Sequence, residues 1–179
     1  MSGSRVVLIC FLAGIAPQLL VRAAEEPPPL EYQVKAAFLL NFTKFIDWPP
    51  PPTGGTAASF DICLLGDDPF GTVLDQMLEG ETSQGRKLGV QRVRRPVPAS
   101  CRVLFIGKTE QDLDSLLSDL GPGVLTVGDG TGFLRDGGMI GFVIENHRVR
   151  FDISQAAAAR AGFKISSKLL NVARSVDRQ

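Results

Sequence analysis

RVLFIGKTEQDLDSLLSDLGPGVLTVGDG, residues 102–130, is the stretch that decides the fold. Arg102 to Gly107 opens with an unbroken apolar run of the length and β-branched or aromatic content of a buried strand. Thr109 begins a helical stretch that reaches Leu120, and Gly121-Pro122-Gly123 stops it. Val124 to Val127 is a second buried strand, followed by the loop Gly128-Asp129-Gly130-Thr131-Gly132. Strand, helix and strand in under thirty residues make a crossover unit, which pairs its strands in parallel.

Working outward, the same alternation continues in both directions. Upstream, Phe60 to Gly66 reads as a short apolar strand. Pro69 to Leu78 reads as a helix with Asp68 at its N-cap and Pro69 at its first position. Leu88 to Val93 is a polar strand that belongs near a sheet edge, because Gln91, Arg92 and Arg94 do not tolerate burial on two sides. Further back, Glu31 to Asp47 is an amphipathic helix. Val34, Phe38, Leu39, Phe42, Phe45 and Ile46 fall in one arc, and Gln33, Asn41, Lys44 and Asp47 lie opposite with Leu40 among them. Trp48 and prolines 49 to 52 end it.

Downstream, Met139 to Glu145 and Arg148 to Ile153 are two strands joined only by Asn146-His147, which forces an antiparallel hairpin. Ser154 caps an Ala-rich helix ending at Gly162, and Ser166 opens another that contains Leu169, Leu170 and Ala173. The expected fold is a single α/β domain over residues 31–174. Its sheet is mostly parallel, flanked by helices, with an antiparallel C-terminal hairpin; it is Rossmann- or flavodoxin-like without a nucleotide loop. Residues 175–179 read as a tail.

The first residues have a different character. Arg5 is followed by the uncharged run Val6 to Leu20, and Val21 and Ala23 sit at the spacing a signal peptidase reads. Residues 1–23 therefore read as a signal peptide and 24–30 as a Pro-rich linker. A run of about 15 apolar residues is short for a membrane anchor. Cys10 lies too early, behind Ile9, to be a lipid-attachment cysteine. Cleavage removes Arg5, Arg22 and no acid, so 17 basic residues face 19 acidic ones. That weakly acidic balance gives no electrostatic basis for binding nucleic acid or inserting into an anionic membrane. Cleavage also leaves two cysteines, Cys63 and Cys101. An even count in an oxidising compartment predicts a disulfide, two buried free thiols being the alternative.

No arrangement for catalysis, metal or cofactor emerges. His147 is the only histidine and sits at a hairpin tip, so there is no metal set and no base for a nucleophile. The glycine loop after Val127 lacks the third glycine of a dinucleotide fingerprint and continues into Phe133. Asp67-Asp68 follow the first strand as in phospho-acceptor domains, but no aspartate ends the central strand. Ser166-Ser167-Lys168 lacks the Ser-x-x-Lys spacing. Binding is what remains. In open α/β sheets ligands settle at the carboxyl ends of the strands, which places Asp67, Asp68, Phe70, Lys108, Asp129 and Phe133 around a candidate crevice. Leu40, Leu169 and Leu170 are candidates for a partner-binding face.

Several segments together resemble the YfiR-like periplasmic regulators. They are Tyr32-x-Val34-Lys35-Ala36-Ala37-Phe38 through Trp48-Pro49, Phe60-x-Ile62-Cys63-x-Leu65-Gly66-x-Asp68-Pro69-Phe70-Gly71, Cys101-x-x-Leu104-Phe105-Ile106, Gly137-Gly138-Met139-Ile140 and Ala161-Gly162-Phe163-Lys164-Ile165-Ser166. The resemblance implies a periplasmic, homodimeric repressor. It would hold an inner-membrane diguanylate cyclase inactive through that enzyme's sensor domain, and so restrain cyclic di-GMP and biofilm formation. It also implies a cysteine pair matching Cys63 and Cys101. A second cysteine pair of the family, around the late hairpin, has no counterpart here, and Phe163 stands where leucine is usual. Some relatives accompany sensor kinases instead. A small-ligand-binding module in the strand-end crevice is the alternative of a different class; a hydrolase would need a nucleophile–base pair.

Overall fold

The computed structural model describes residues 28–50 and 59–178. The signal-peptide reading of 1–23 lies outside the described residues. Helix α1 spans Leu30–Phe45, and the chain leaves it at once into a two-residue strand β1, Ile46–Asp47. Then come β2 (Ser59–Leu65), α2 (Thr72–Leu78), β3 (Thr82–Ser83), β4 (Arg86–Val93), β5 (Cys101–Ile106), α3 (Leu113–Asp119) and β6 (Leu125–Asp129). The hairpin β7 (Ile140–Glu145) and β8 (Arg148–Ser154) follows, then α4 (Gln155–Arg160), β9 (Lys164–Ile165), α5 (Ser167–Val172) and β10 (Ser175–Asp177).

Eight strands form one sheet in the order β10-β8-β7-β6-β5-β2-β4-β3. The central five, β4-β2-β5-β6-β7, are mutually parallel. The rest oppose them, so the sheet is mixed rather than mostly parallel with one late hairpin. Three local causes account for this. The Asn146-His147 turn sends β8 back along β7, and a tight turn does the same for β3 against β4. The residues read as a tail instead form β10, which runs parallel to β8 and so against the central block. Arg174 anchors that last strand, with Nε donating to Asp152 Oδ1 at 2.8 Å and Nη2 to Oδ2. The doubly wound pattern also fails at two crossovers: neither Arg94–Ser100, between β4 and β5, nor Gly130–Met139, between β6 and β7, contains a helix.

Side chains alternate across β2 because successive Cβ atoms point to opposite faces. Phe60, Ile62 and Leu64 enter the larger core under α1, while Cys63 and Leu65 enter a smaller one with Leu104, Ile106, Leu116 and Phe133. The larger core is dense in aromatics: Phe42 of α1 lies 5.9 Å from Phe142 and 5.2 Å from Phe151. Beside it, β1 pairs antiparallel with β9, Ile46 opposite Ile165.

Two helices start later than their sequence patterns suggest. Asp68 does not cap α2 from the adjacent position. Its Oδ1 accepts from the Phe70 and Gly71 amides at 2.8 and 3.1 Å, forming an Asx turn. Gly71 at φ 53 then redirects the chain into a helix that begins at Thr72. Likewise Asp112 at φ 57 breaks the run from Thr109, and α3 begins at Leu113. The serine caps are as expected: Ser154 Oγ accepts from Ala157 N and Ser166 Oγ from Leu169 N.

At the hairpin tip Asn146 and His147 have φ of 50 and 60, the two left-handed positions of a type I′ turn, which favours Asn-Gly. His147→Gly should therefore raise unfolding stability by about 1 kcal/mol, read by urea denaturation. Destabilisation would mean that the imidazole makes a compensating contact.

Candidate functional site at the strand ends

The first turns of α1 lean over the carboxyl ends of the central strands and deliver a charge to them. Asp129, the last residue of β6, has a side chain only 4% exposed. Its Oδ1 accepts from Lys35 Nζ at 2.6 Å and its Oδ2 from the Tyr32 hydroxyl at 3.1 Å. Lys108, at the end of β5, approaches Oδ2 at 3.9 Å. Lys35 is itself buried, 3% exposed at its side chain, and also reaches Glu31 at 2.5 Å. Its ammonium lies 4.4 Å from the centre of the Tyr32 ring, a second favourable contact for a cation out of water. Tyr32 stands edge-on to the fully buried Phe70, which stands edge-on to Phe105.

This setting holds the phenol proton. Burial, then the charge of Asp129 and the hydrogen bond to it, push the Tyr32 hydroxyl from 10.0 up to about 12. The chain has one tyrosine, so its tyrosinate absorbance reports this site alone. The expected midpoint is about 12 in the folded protein against 10.0 in the unfolded chain. Between those values the unfolded chain loses its proton first, so stability falls as pH rises through that window. Tyr32→Phe should remove that part of the decline. A folded-state midpoint near the ordinary value would show the hydroxyl to be free of Asp129.

Beside Asp129 a cleft of about 280 Å³ opens between the ends of β5 and β6, walled by Lys108, Glu110, Asp112, Leu113, Phe133 and Asp136. Phe133 is fixed by glycines. A Cβ on Gly128 would come within 2.5 Å of its ring, and one on Gly138 within 2.1 Å. The glycine-rich loop is thus shaped around an aromatic ring seated on the strand ends.

Of the six crevice residues expected from the sequence, Lys108, Asp129 and Phe133 converge on this cleft. Asp67 is exposed on the neighbouring loop, where its amide nitrogen would lie 2.7 Å from a Cβ on Gly107. Asp68 is held by its turn and by Arg92 Nε at 2.8 Å, and Phe70 belongs to the core. Arg92 also grips Asp75 at 2.6 Å, and that hydrogen bond leads in lowering the Asp75 carboxyl below its usual range. Sequence reasoning missed Tyr32 and Lys35. The available signal was Lys35 itself, a charge four positions before Leu39 and so on the buried side of α1. Among the described residues no group of three His, Cys, Asp or Glu side chains is placed to hold a metal.

The residues expected on a partner face are at least half covered. Leu40 and Leu170 are half-buried against the core, and Leu169 is buried. The side of α1 that meets the core carries Lys35, Ala36, Leu39, Phe42 and Thr43, a rotation away from the arc expected from the apolar pattern. Leu30, Val34 and Phe45 face outward instead, at 73%, 36% and 37% exposure. The outward side of α1 therefore mixes these three apolar residues with the exposed Asn41 and Lys44.

Cys63 and Cys101 form a disulfide across the neighbouring strands β2 and β5, with Cα atoms 5.7 Å apart. A sequence profile of the YfiR/HmsC-like family matches residues 32–174. The chain belongs to the YfiR/HmsC-like family. The match begins at the tyrosine that binds Asp129 and ends at the arginine that pairs with Asp152, so it takes in the whole cleft and stops just short of the edge strand β10. A search of the curated proteins finds no match to the chain. No helix among the described residues is long and apolar enough to cross a membrane.

Proposed function

We propose that this YfiR/HmsC-like protein is a periplasmic regulator that binds the sensor region of an inner-membrane diguanylate cyclase and holds it inactive, so lowering cyclic di-GMP and restraining biofilm formation. The family match over residues 32–174 carries this reading. The disulfide supports an oxidising compartment. The exposed Leu30, Val34 and Phe45 of α1 support action by contact, with a partner or a second copy of the chain, rather than by turnover. Such a regulator works by binding one conformation of its partner more tightly and shifting its population.

Deleting the gene should raise cyclic di-GMP and surface attachment, and the rise should vanish when the partner cyclase is deleted as well. Val34→Asp, on the exposed side of α1, should leave thermal unfolding unchanged and reproduce the deletion. Unchanged cyclic di-GMP in the deletion strain, with the protein normally expressed, would reject the regulator reading; a fully repressing Val34→Asp protein would reject this face of it.

A further inference from the structure

A second site lies at the other end of the sheet, where an arginine is buried without an anion. Arg102, beside the disulfide in β5, is 3% exposed. Its Nη2 donates to the Pro49 carbonyl at 2.7 Å, and its guanidinium carbon stands 5.7 Å from the centre of the Trp48 ring. No carboxylate among the described residues pairs with it. Among the described residues its Nε has no acceptor, and neither does the buried indole Nε1 of Trp48. Burial and then the neighbouring Arg86 both push the guanidinium below its ordinary value, but an arginine does not shed its proton in a protein. A full positive charge and two orphaned donors thus remain out of water. Groups so placed carry a desolvation cost that a bound acceptor relieves.

Arg102 also lines a groove. Because the crossover from β4 to β5 runs as an irregular, proline-containing segment where a helix would otherwise lie, a space of about 250 Å³ stays open between that segment and α3. Its walls are mainly apolar, with Val97, Pro98, Leu116, Leu120 and Val124 among them, and Arg95 and Asp119 also border it. Gly123, at φ +83, leaves room for the guanidinium: a Cβ there would lie 3.0 Å from Nη1.

We propose that this groove binds a small amphiphilic carboxylate, whose anionic head pairs with Arg102 and whose apolar body lies along Val97, Leu116, Leu120 and Val124. The site is separate from the Asp129 cleft and does not depend on which membrane protein is the partner. Its chemistry fits a short aliphatic acid or an aromatic acid.

The test is calorimetric titration of the disulfide-bonded protein, lacking residues 1–23, with hexanoate and 3-phenylpropanoate, each beside its uncharged amide. At least one acid should bind saturably and about tenfold or more tightly than its amide, the preference expected of a charge-assisted hydrogen bond. Which acid binds assigns the body as aliphatic or aromatic. Arg102→Met should abolish the preference for acid over amide. Leu120→Trp, which fills the groove from its half-exposed rim, should abolish binding while keeping the unfolding temperature. Absence of saturable binding by either acid up to millimolar concentration would overturn the proposal. So would equal binding of acid and amide, or undiminished binding by a folded Leu120→Trp protein.

Discussion

Replacing Cys63 and Cys101 together by alanine is expected to lower unfolding stability by about 4 kcal/mol, the loop-closure entropy for a bridge of this span. The two residues are 38 positions apart. In a domain of this size that corresponds to a fall of roughly 8–16 °C in Tm. Both cysteines are fully buried in the smaller core with Leu65, Leu104 and Leu116, so the bridge joins strands that already pair in the sheet. Its contribution is accordingly to the unfolded chain, whose freedom it restricts. Thermal unfolding of the oxidised, reduced and double-alanine proteins checks this. Reduced and double-alanine forms should agree, and a loss under about 1 kcal/mol in both would show that the bridge leaves the unfolded ensemble largely unconstrained.

Asp129→Ala should be about as costly, at ~3–5 kcal/mol, because it strands a buried lysine ammonium. Lys35 would keep Glu31, but lose the carboxylate 2.6 Å away, and Tyr32 would lose its acceptor. Removing both charges as Lys35→Met with Asp129→Leu should recover most of the loss, since an apolar pair of similar bulk carries no desolvation cost. The cycle of single and double variants, measured by chemical denaturation, separates the pair's coupling from the packing of either side chain. If Asp129→Ala alone costs less than about 1 kcal/mol, Lys35 escapes to solvent and the buried charge network does not hold α1 to the strand ends.

Much of this was legible in the sequence because it is local. The apolar runs at Phe60–Leu65 and Val103–Ile106 mark strands covered on both faces, and a two-residue link at Asn146-His147 permits only a hairpin. Ser154 and Ser166 could be read as caps because a hydroxyl just before a helical run has few other uses. What escaped depends on tertiary context. An aspartate before Pro69 makes an Asx turn as readily as a helix cap, and only the path after Gly71 separates them. The rotation of α1 is set by Asp129, nearly a hundred residues away, which draws Lys35 inward and leaves Val34 and Phe45 outside. The two connections without helices gave no helical pattern, one holding Pro96 and Pro98 and the other four glycines, but nothing local showed that parallel strands would be joined through them. Half of the crevice, Lys108, Asp129 and Phe133, followed from strand order alone; Tyr32 and Lys35 came from a helix whose position over the sheet no local pattern specifies.

The pairing of β1 with β9 has a consequence for how the chain reaches this state. α1 is the first described element and packs on α2 close behind it, yet it also packs on β8 and α5, and the strand that follows it is clasped by residues 164 and 165. Contacts between the two ends of a sequence form late, because a long loop must close before they repay its entropy. A chain that emerges N-terminus first can therefore seat α1 on α2 early, but it leaves Phe38 and Phe42 without Phe142 and Phe151 until the final third of the protein has arrived. For that interval those two rings are an adhesive surface, and the yield of folded protein depends on what shields them.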